Sequence, residues 1–152
     1  MLEGSPLEVH VECSGERPAC SGCGGRVELK DQRPVRLADL PCLGQPTVLV
    51  WHKRRWRCPA ESCPVRSWTE GDRRIGGSRL AMTYRAGRWA TEQVGRCART
   101  VNEVARELGC DWHTVNDAVM AFGQLLTCWR AGEGWPETVP STAGRAPRGC
   151  RR

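Results

Sequence analysis

The sequence contains no long apolar run, and we expect no secretion signal. No stretch approaches the roughly 20 consecutive apolar residues of a membrane-spanning helix. The start of the sequence, Met1 to Gly4, has neither a basic segment nor an apolar one. Both absences predict a cytoplasmic protein with no membrane partner. In that reducing compartment, close cysteine pairs favour metal binding over disulfides.

The chain also lacks the length for a large hydrophobic core. Its 152 residues suffice for one ordinary domain or two small ones. A domain of fewer than about 70 residues usually needs a metal or disulfides to fold, because its surface is large relative to its interior. Ten cysteines are present, so a stabilising cross-link is expected.

Four cysteines have ligand spacing. Cys20-x2-Cys23 and Cys58-x4-Cys63 form two pairs separated by 34 residues. Four thiolates make a closed tetrahedral shell, so the pattern predicts a structural Zn²⁺ site without an open catalytic position. The alternatives are a disulfide, a redox Cys-x-x-Cys, unconnected core thiols, or iron in the same geometry.

The remaining thiols and one nearby histidine are interpreted differently. Cys97 and Cys110 are predicted to be small core residues. His52 stands close to the second cysteine pair and is a substitute ligand in principle, but a surface strand histidine is the favoured interpretation.

Strand patterns occupy the middle of the chain. Residues 34–40 alternate, a turn is predicted at Gly44 to Pro46, and Thr47 to Cys58 is predicted to form a longer strand. Trp51 and Trp56 are predicted to form the small core of this unit, with base stacking as the alternative.

Helical patterns follow. Ser78 is predicted to cap a first helix, and Thr100 with Glu103 forms a capping box for a second one that ends at Gly109. Asp111 is predicted to cap a third. Two short helices joined by a glycine turn favour a helix-turn-helix, although a plain three-helix bundle has the same pattern.

The formal charge is +6, with the basic excess concentrated in the central part of the chain. A basic centre suits DNA or RNA, and a merely solvated surface is the alternative. The side chains predicted to contact DNA lie at the start of the third helix, on the long strand and on the first helix: Trp112, His113, Thr114, Asn116, Lys53, Arg55, Arg57, Arg85, Arg88, Arg96 and Arg99.

The predicted fold class is small α+β: a zinc-ribbon-like β unit, then a three-helix helix-turn-helix domain and a disordered tail. The predicted segments are an N-terminal arm at 1–18, a four-cysteine zinc-binding domain at 19–70, a linker at 71–78, the helix-turn-helix domain at 79–126 and the tail at 127–152.

The order of these motifs resembles the amino-terminal part of the ISL-three family of bacterial insertion-sequence transposases. The resemblance covers about Ala19 to Leu126. It rests on Cys20-Ser-Gly-Cys23, Arg36-Leu-Ala-Asp-Leu-Pro41, Arg54-Arg-Trp-Arg-Cys58-Pro, Cys63-Pro64, Val101-Asn-Glu-Val-Ala-Arg-Glu-Leu-Gly109 and Trp112-His-Thr-Val-Asn116.

The resemblance implies binding to the terminal inverted repeats of a mobile element in the bacterial nucleoid. The family's RNase H-like catalytic domain should begin near residue 127, but residues 127–152 supply only Glu133 and Glu137 as acids. We therefore expect no strand transfer and a truncated or frameshifted reading frame. The expected partners are double-stranded DNA and the full-length transposase or a second copy of the chain. The alternatives are a stand-alone transcriptional regulator with the same modules and a protein-docking zinc ribbon.

Overall fold

The computed structural model describes residues 5–76 and 81–127, and the predicted tail from residue 128 onward lies outside them. A four-stranded sheet precedes three helices, which confirms the small α+β class. The elements are β1 (Leu7–Val11), β2 (Glu28–Cys42), β3 (Gln45–Arg57), β4 (Ser67–Thr69), α1 (Tyr84–Gly95), α2 (Val101–Leu108) and α3 (Trp112–Thr127).

β3 is the central strand of the sheet. Along its full length it pairs with β2 in an antiparallel hairpin. On its other edge, residues 47–51 of β3 pair with β1, which is parallel to it, and residues 55–57 pair with β4, which is antiparallel. Residues 7–11 of the predicted N-terminal arm are therefore a strand of the sheet.

The hairpin turn lies one residue earlier than predicted. Cys42 pairs with Gln45, and the two residues between them, Leu43 and Gly44, have φ of 53° and 76°. Two successive positive φ values are typical of the tight hairpin turn that matches the twist of paired strands. Gln45 and Pro46 thus belong to β3, and β2 begins at Glu28 rather than at residue 34.

α1 is joined to β2 by backbone and side-chain contacts. The Ala38 N–H donates to the Ala81 carbonyl at 2.9 Å, and the Thr83 N–H donates to the Ala38 carbonyl at 2.9 Å. The predicted cap at Ser78 is wrong: α1 begins at Tyr84, and the Thr83 hydroxyl accepts a hydrogen bond from the Ala86 N–H. Thr83 is positioned to cap α1 because its hydrogen bond to β2 holds it at the sheet edge.

The helix core is built largely of small and branched apolar residues. Val104, Leu108, Val115, Ala118 and Phe122 are among its fully buried members. A Cβ at Gly87 of α1 would lie only 2.5 Å from the Phe122 ring, so glycine permits α1 and α3 to come close.

The predicted boundaries of α2 are confirmed. Thr100 and Glu103 form the reciprocal capping box, and Gly109 ends the helix in the left-handed conformation at φ 66°. Asp111 caps α3 as predicted, because its carboxylate accepts from the Thr114 N–H at 2.9 Å.

The two remaining cysteine predictions have opposite outcomes. Cys110 packs against the helix core, and burial raises the pKa of its thiol to about 11. Cys97 is exposed, so its predicted core position is wrong. It follows α1 where the chain turns towards α2, and Ala98 next to it has a positive φ of 51°. In this turn the helical spacing that suggested burial no longer applies.

Within the described ranges, no helix is long and apolar enough to cross a membrane.

Candidate metal centre and nucleic-acid interface

Two turns at one end of the hairpin hold the four candidate ligands. The first turn carries Cys20 and Cys23 and is closed by the Gly24 N–H, which donates to the Cys20 carbonyl at 2.8 Å. The second follows β3 directly and carries Cys58 and Cys63. Because β2 and β3 are paired, the segments before β2 and after β3 meet at the same end of the sheet.

The four sulfur atoms converge there. All of them lie within 4.8 Å of one another. The Sγ atoms of Cys20 and Cys63 are 3.6 Å apart, as are those of Cys23 and Cys58. A disulfide would require about 2.05 Å. A tetrahedral site with Zn–S bonds of about 2.3 Å places sulfurs about 3.8 Å apart, so the geometry fits Zn²⁺.

Backbone N–H groups point at the sulfurs from both turns. The Gly22 N–H, followed by smaller contributions from the Cys23 N–H and the neighbouring thiols, lowers the pKa of Cys20 to about 7. The N–H of Ala60 donates to the Cys58 sulfur and that of Val65 donates to Cys63. Such donors stabilise thiolate charge and orient the ligands of a metal centre.

Burial and the neighbouring thiols have the opposite effect on the second pair, because they raise the pKa values of Cys58 and Cys63. The hydrogen bond from the Ala60 N–H lowers the pKa of Cys58, but burial and the neighbouring thiols outweigh it and raise the pKa to about 12. Burial also raises the pKa of Cys63. Sulfurs this close cannot all carry negative charge without a cation between them. A bound dication would deprotonate the set, which is the usual coupling of metal binding to thiol ionisation.

The two turns approach closely at Gly22. A Cβ at this position would lie 2.9 Å from Val65 and 3.0 Å from the Cys63 sulfur. Glycine between the first two cysteines therefore lets the second turn close over the site. With four protein sulfurs present, Zn²⁺ would have no open coordination position, so the centre suits a structural role.

Residues 16–63 match the family model described as the zinc-finger of transposase IS204/IS1001/IS1096/IS1165. The matched segment contains all four converging cysteines. It ends at Cys63, before the helices begin. No curated protein and no solved structure matches the chain. Among the described residues, no second group of three or more histidine, cysteine or acidic side chains gathers as potential metal ligands.

The zinc-finger segment places its two tryptophans inside. Trp51 is fully buried and Trp56 is 4% exposed, which confirms their predicted core role. Trp56 packs with the cysteine turns, whereas Trp51 belongs to a separate cluster with Leu37 and Leu49. His52 is not part of the cysteine group: its Nε2 lies 2.8 Å from the Nδ1 of His10 on β1.

The predicted reading residues lie at the start of α3. Trp112 is 48% exposed, and its ring stacks on that of His113 with centroids 3.9 Å apart. Asn116 is half-buried one turn further along. The Thr114 hydroxyl donates to the Asp111 carboxylate at 3.0 Å, so a contact from this hydroxyl to DNA would compete with the cap.

Most of the predicted phosphate contacts already have acidic neighbours. The pairs are Arg55 with Asp31, Arg57 with Glu28, Arg85 with Asp39, Arg88 with Glu92 and Arg99 with Glu107. Lys53 lies over the Trp51 ring at 4.0 Å, and burial lowers its pKa. Arg96 is exposed at the end of α1. The basic excess seen in the sequence is thus partly neutralised within the fold.

Among the acids of these pairs, Asp39 is the most buried, with its side chain only 1% exposed. Burial by itself raises the pKa of Asp39, but hydrogen bonds from Arg85 and Thr83 outweigh it and hold the pKa below its usual value. The Thr83 hydroxyl donates to Asp39 at 2.6 Å. Arg85 therefore joins α1 to the sheet as well as presenting charge.

An open groove beside the metal centre contains cations that sequence reasoning missed. It is lined by Lys30 and Arg66 together with Arg57 and Glu28. Lys30 and Arg66 are exposed, and among the described residues neither has an acidic partner within ion-pair distance. Lys30 lies on β2, and Arg66 directly precedes β4. They come together because β2 and β4 both pair with the end of β3, and no local sequence pattern indicates this. We call this surface the zinc-end groove.

Proposed function

We propose that the chain binds double-stranded DNA at the terminal inverted repeats of an insertion sequence. The observation that supports this proposal is that the four converging sulfurs all lie in the segment that matches a transposase zinc finger. A metal there makes the small hairpin rigid, and a rigid basic surface can be held against a duplex.

We further propose that α2 and α3 act as a helix-turn-helix. The turn between them spans residues 109–111 and starts at the left-handed Gly109. Val104 and Leu108 of α2 share one buried cluster with Val115 of α3. The first turn of α3 stays exposed, which is the arrangement that a recognition helix needs in order to enter the major groove.

The proposed roles follow from side-chain chemistry. Asn116 has the amide that pairs with the two hydrogen-bonding atoms of an adenine edge. His113 can hydrogen-bond a base or a phosphate. The exposed Trp112 offers apolar contact to a thymine methyl group. Met120, 58% exposed, is a second exposed apolar side chain on the same helix.

The proposal is confined to binding. Two-metal phosphoryl transfer needs carboxylates that converge on a rigid element. The ligand group brought together within residues 5–76 and 81–127 consists of cysteines. We therefore propose no strand transfer by this part of the chain.

The experiment is selection of bound duplexes from a random pool with zinc-loaded protein. One enriched motif is expected, and Asn116→Ala should bind it more weakly while binding random duplex unchanged. Asp117→Ala, an exposed neighbour on the same helix, is the matched control. Equal loss on both duplexes for Asn116→Ala would contradict the proposed reading helix.

The location of the enriched motif separates transposition from regulation. Copies in inverted repeats that flank the gene support the proposal, whereas copies in front of neighbouring operons support a stand-alone regulator. Heparin binding without any enriched duplex would instead support a docking module for an acidic protein.

A further inference from the structure

The metal centre and the helices lie at opposite ends of one strand. β3 begins beside the helices, because a Cβ at Gly109 would lie 2.5 Å from the Pro46 ring. It ends at Arg57, directly before the ligand Cys58. From Pro46 to Arg57 there are eleven residue steps, so the strand spans about 36 Å at about 3.3 Å per residue.

The helices are held to their end of the sheet at several points. Residues 81–83 lie beside β2 through the two backbone hydrogen bonds of Ala38. The buried Asp39 carboxylate accepts from Thr83 and Arg85 of the α1 start. Since paired strands continue from there to the cysteine turns, we expect the two ends to move as one body.

The span of β3 is close to one turn of B-DNA, which is about 34 to 36 Å or 10 to 10.5 base pairs. α3 begins three residues after Gly109, at the first end. The zinc-end groove, where Lys30 and Arg66 have no acidic partner within the part of the chain that the structure describes, lies at the other end.

We infer that the hairpin is a rigid spacer that sets a two-part footprint on DNA. α3 occupies one major groove, and the zinc-end groove contacts phosphates one helical turn away on the same face of the duplex. This inference rests on the proposed DNA binding and specifies its geometry. The zinc finger then contributes affinity and orientation, and α3 contributes sequence preference.

The test uses the full chain, zinc-loaded, and the duplex enriched by selection. Hydroxyl-radical footprinting should show two protected patches about 10 base pairs apart. Trimming the duplex on one side of the motif should weaken binding and reduce the slope of log K against log salt by about 0.9 for each phosphate removed from the interface. Trimming the other side should change neither the affinity nor the salt dependence of binding.

A paired variant assigns the second patch. Lys30→Ala combined with Arg66→Ala should bind the long duplex as weakly as the unchanged protein binds the trimmed one, and should be insensitive to trimming. Arg73→Ala is the control, since Arg73 is exposed and without an ion pair among the described residues, but lies in a turn beyond β4. Zinc content and circular dichroism establish that each variant is folded.

The outcomes are separable. One protected patch, equal sensitivity to trimming on both sides, or continued sensitivity in the Lys30/Arg66 variant overturns the spacer and leaves the proposed function standing. If selection enriches no duplex, the proposed function fails and the spacer fails with it.

Discussion

Gly87 of α1 faces the ring of Phe122 on α3, and both residues are buried in the helix core. In Gly87→Ala the new Cβ would lie 2.5, 3.0 and 3.2 Å from three ring atoms. Phe122 is fully buried, so the ring has little room to move. Overpacking of this kind typically costs about 1 to 3 kcal/mol. The better helix propensity of alanine offsets about 1 kcal/mol of it.

The net expectation for Gly87→Ala is a loss of up to about 2 kcal/mol in the free energy of unfolding. Gly95 provides the matched control in the same helix, since a Cβ there meets nothing within 4 Å. Gly95→Ala should be neutral or stabilise by up to about 1 kcal/mol.

Urea unfolding of the zinc-loaded protein measures both variants, and the midpoint should fall for Gly87→Ala but not for Gly95→Ala. If both substitutions stabilise equally, α1 and α3 are not in the contact described, and the position of the proposed reading helix would need revision.

Three further predictions concern the metal and the helix–sheet junction. Native mass spectrometry should find one zinc per chain. Cys58→Ser should lower the metal affinity strongly, whereas Cys42→Ser should not, because Cys42 is an exposed thiol outside the cysteine group. Equal metal content in both variants would contradict the proposed metal centre. Co²⁺ substitution should give the intense thiolate absorption of a four-sulfur site, and its absence would argue against the tetrahedral shell. The pKa of Asp39 is lowered, so its contribution to stability is present above about pH 4, its unfolded pKa, and is lost as pH falls through the folded pKa. Asp39→Asn should flatten that acid dependence of the urea midpoint, and an unchanged pH profile would show that the fold does not lower the pKa of Asp39.

Features that depend on near neighbours in sequence were predictable. The capping box at Thr100 and the stop at Gly109 each depend on contacts within one helical turn, and both are confirmed. The cysteine pairs were predictable for a related reason, because each turn holds its own two ligands. The strands between them then only had to pair for the four sulfurs to meet.

Features that depend on distant residues were not predictable from local patterns. β1 pairs with β3 across some forty residues, so its short pattern, which suited either a single strand or an arm, did not show that it joins the sheet. Thr83 became the cap of α1 in place of Ser78 because β2 fixes it at the sheet edge. The charge stripe on β3 was similarly misleading, since Asp31 and Glu28, which pair with its arginines, stand on the neighbouring strand.

The Thr83 hydroxyl makes two contacts at once. It accepts from the Ala86 N–H at the start of α1 and donates to the Asp39 carboxylate of β2. The first turn of that helix therefore forms in full only when the hairpin is already in place. A fragment that begins after the sheet would start its folding with an unanchored N-terminus, so nucleation of the helical half should depend on the half that carries the cysteines.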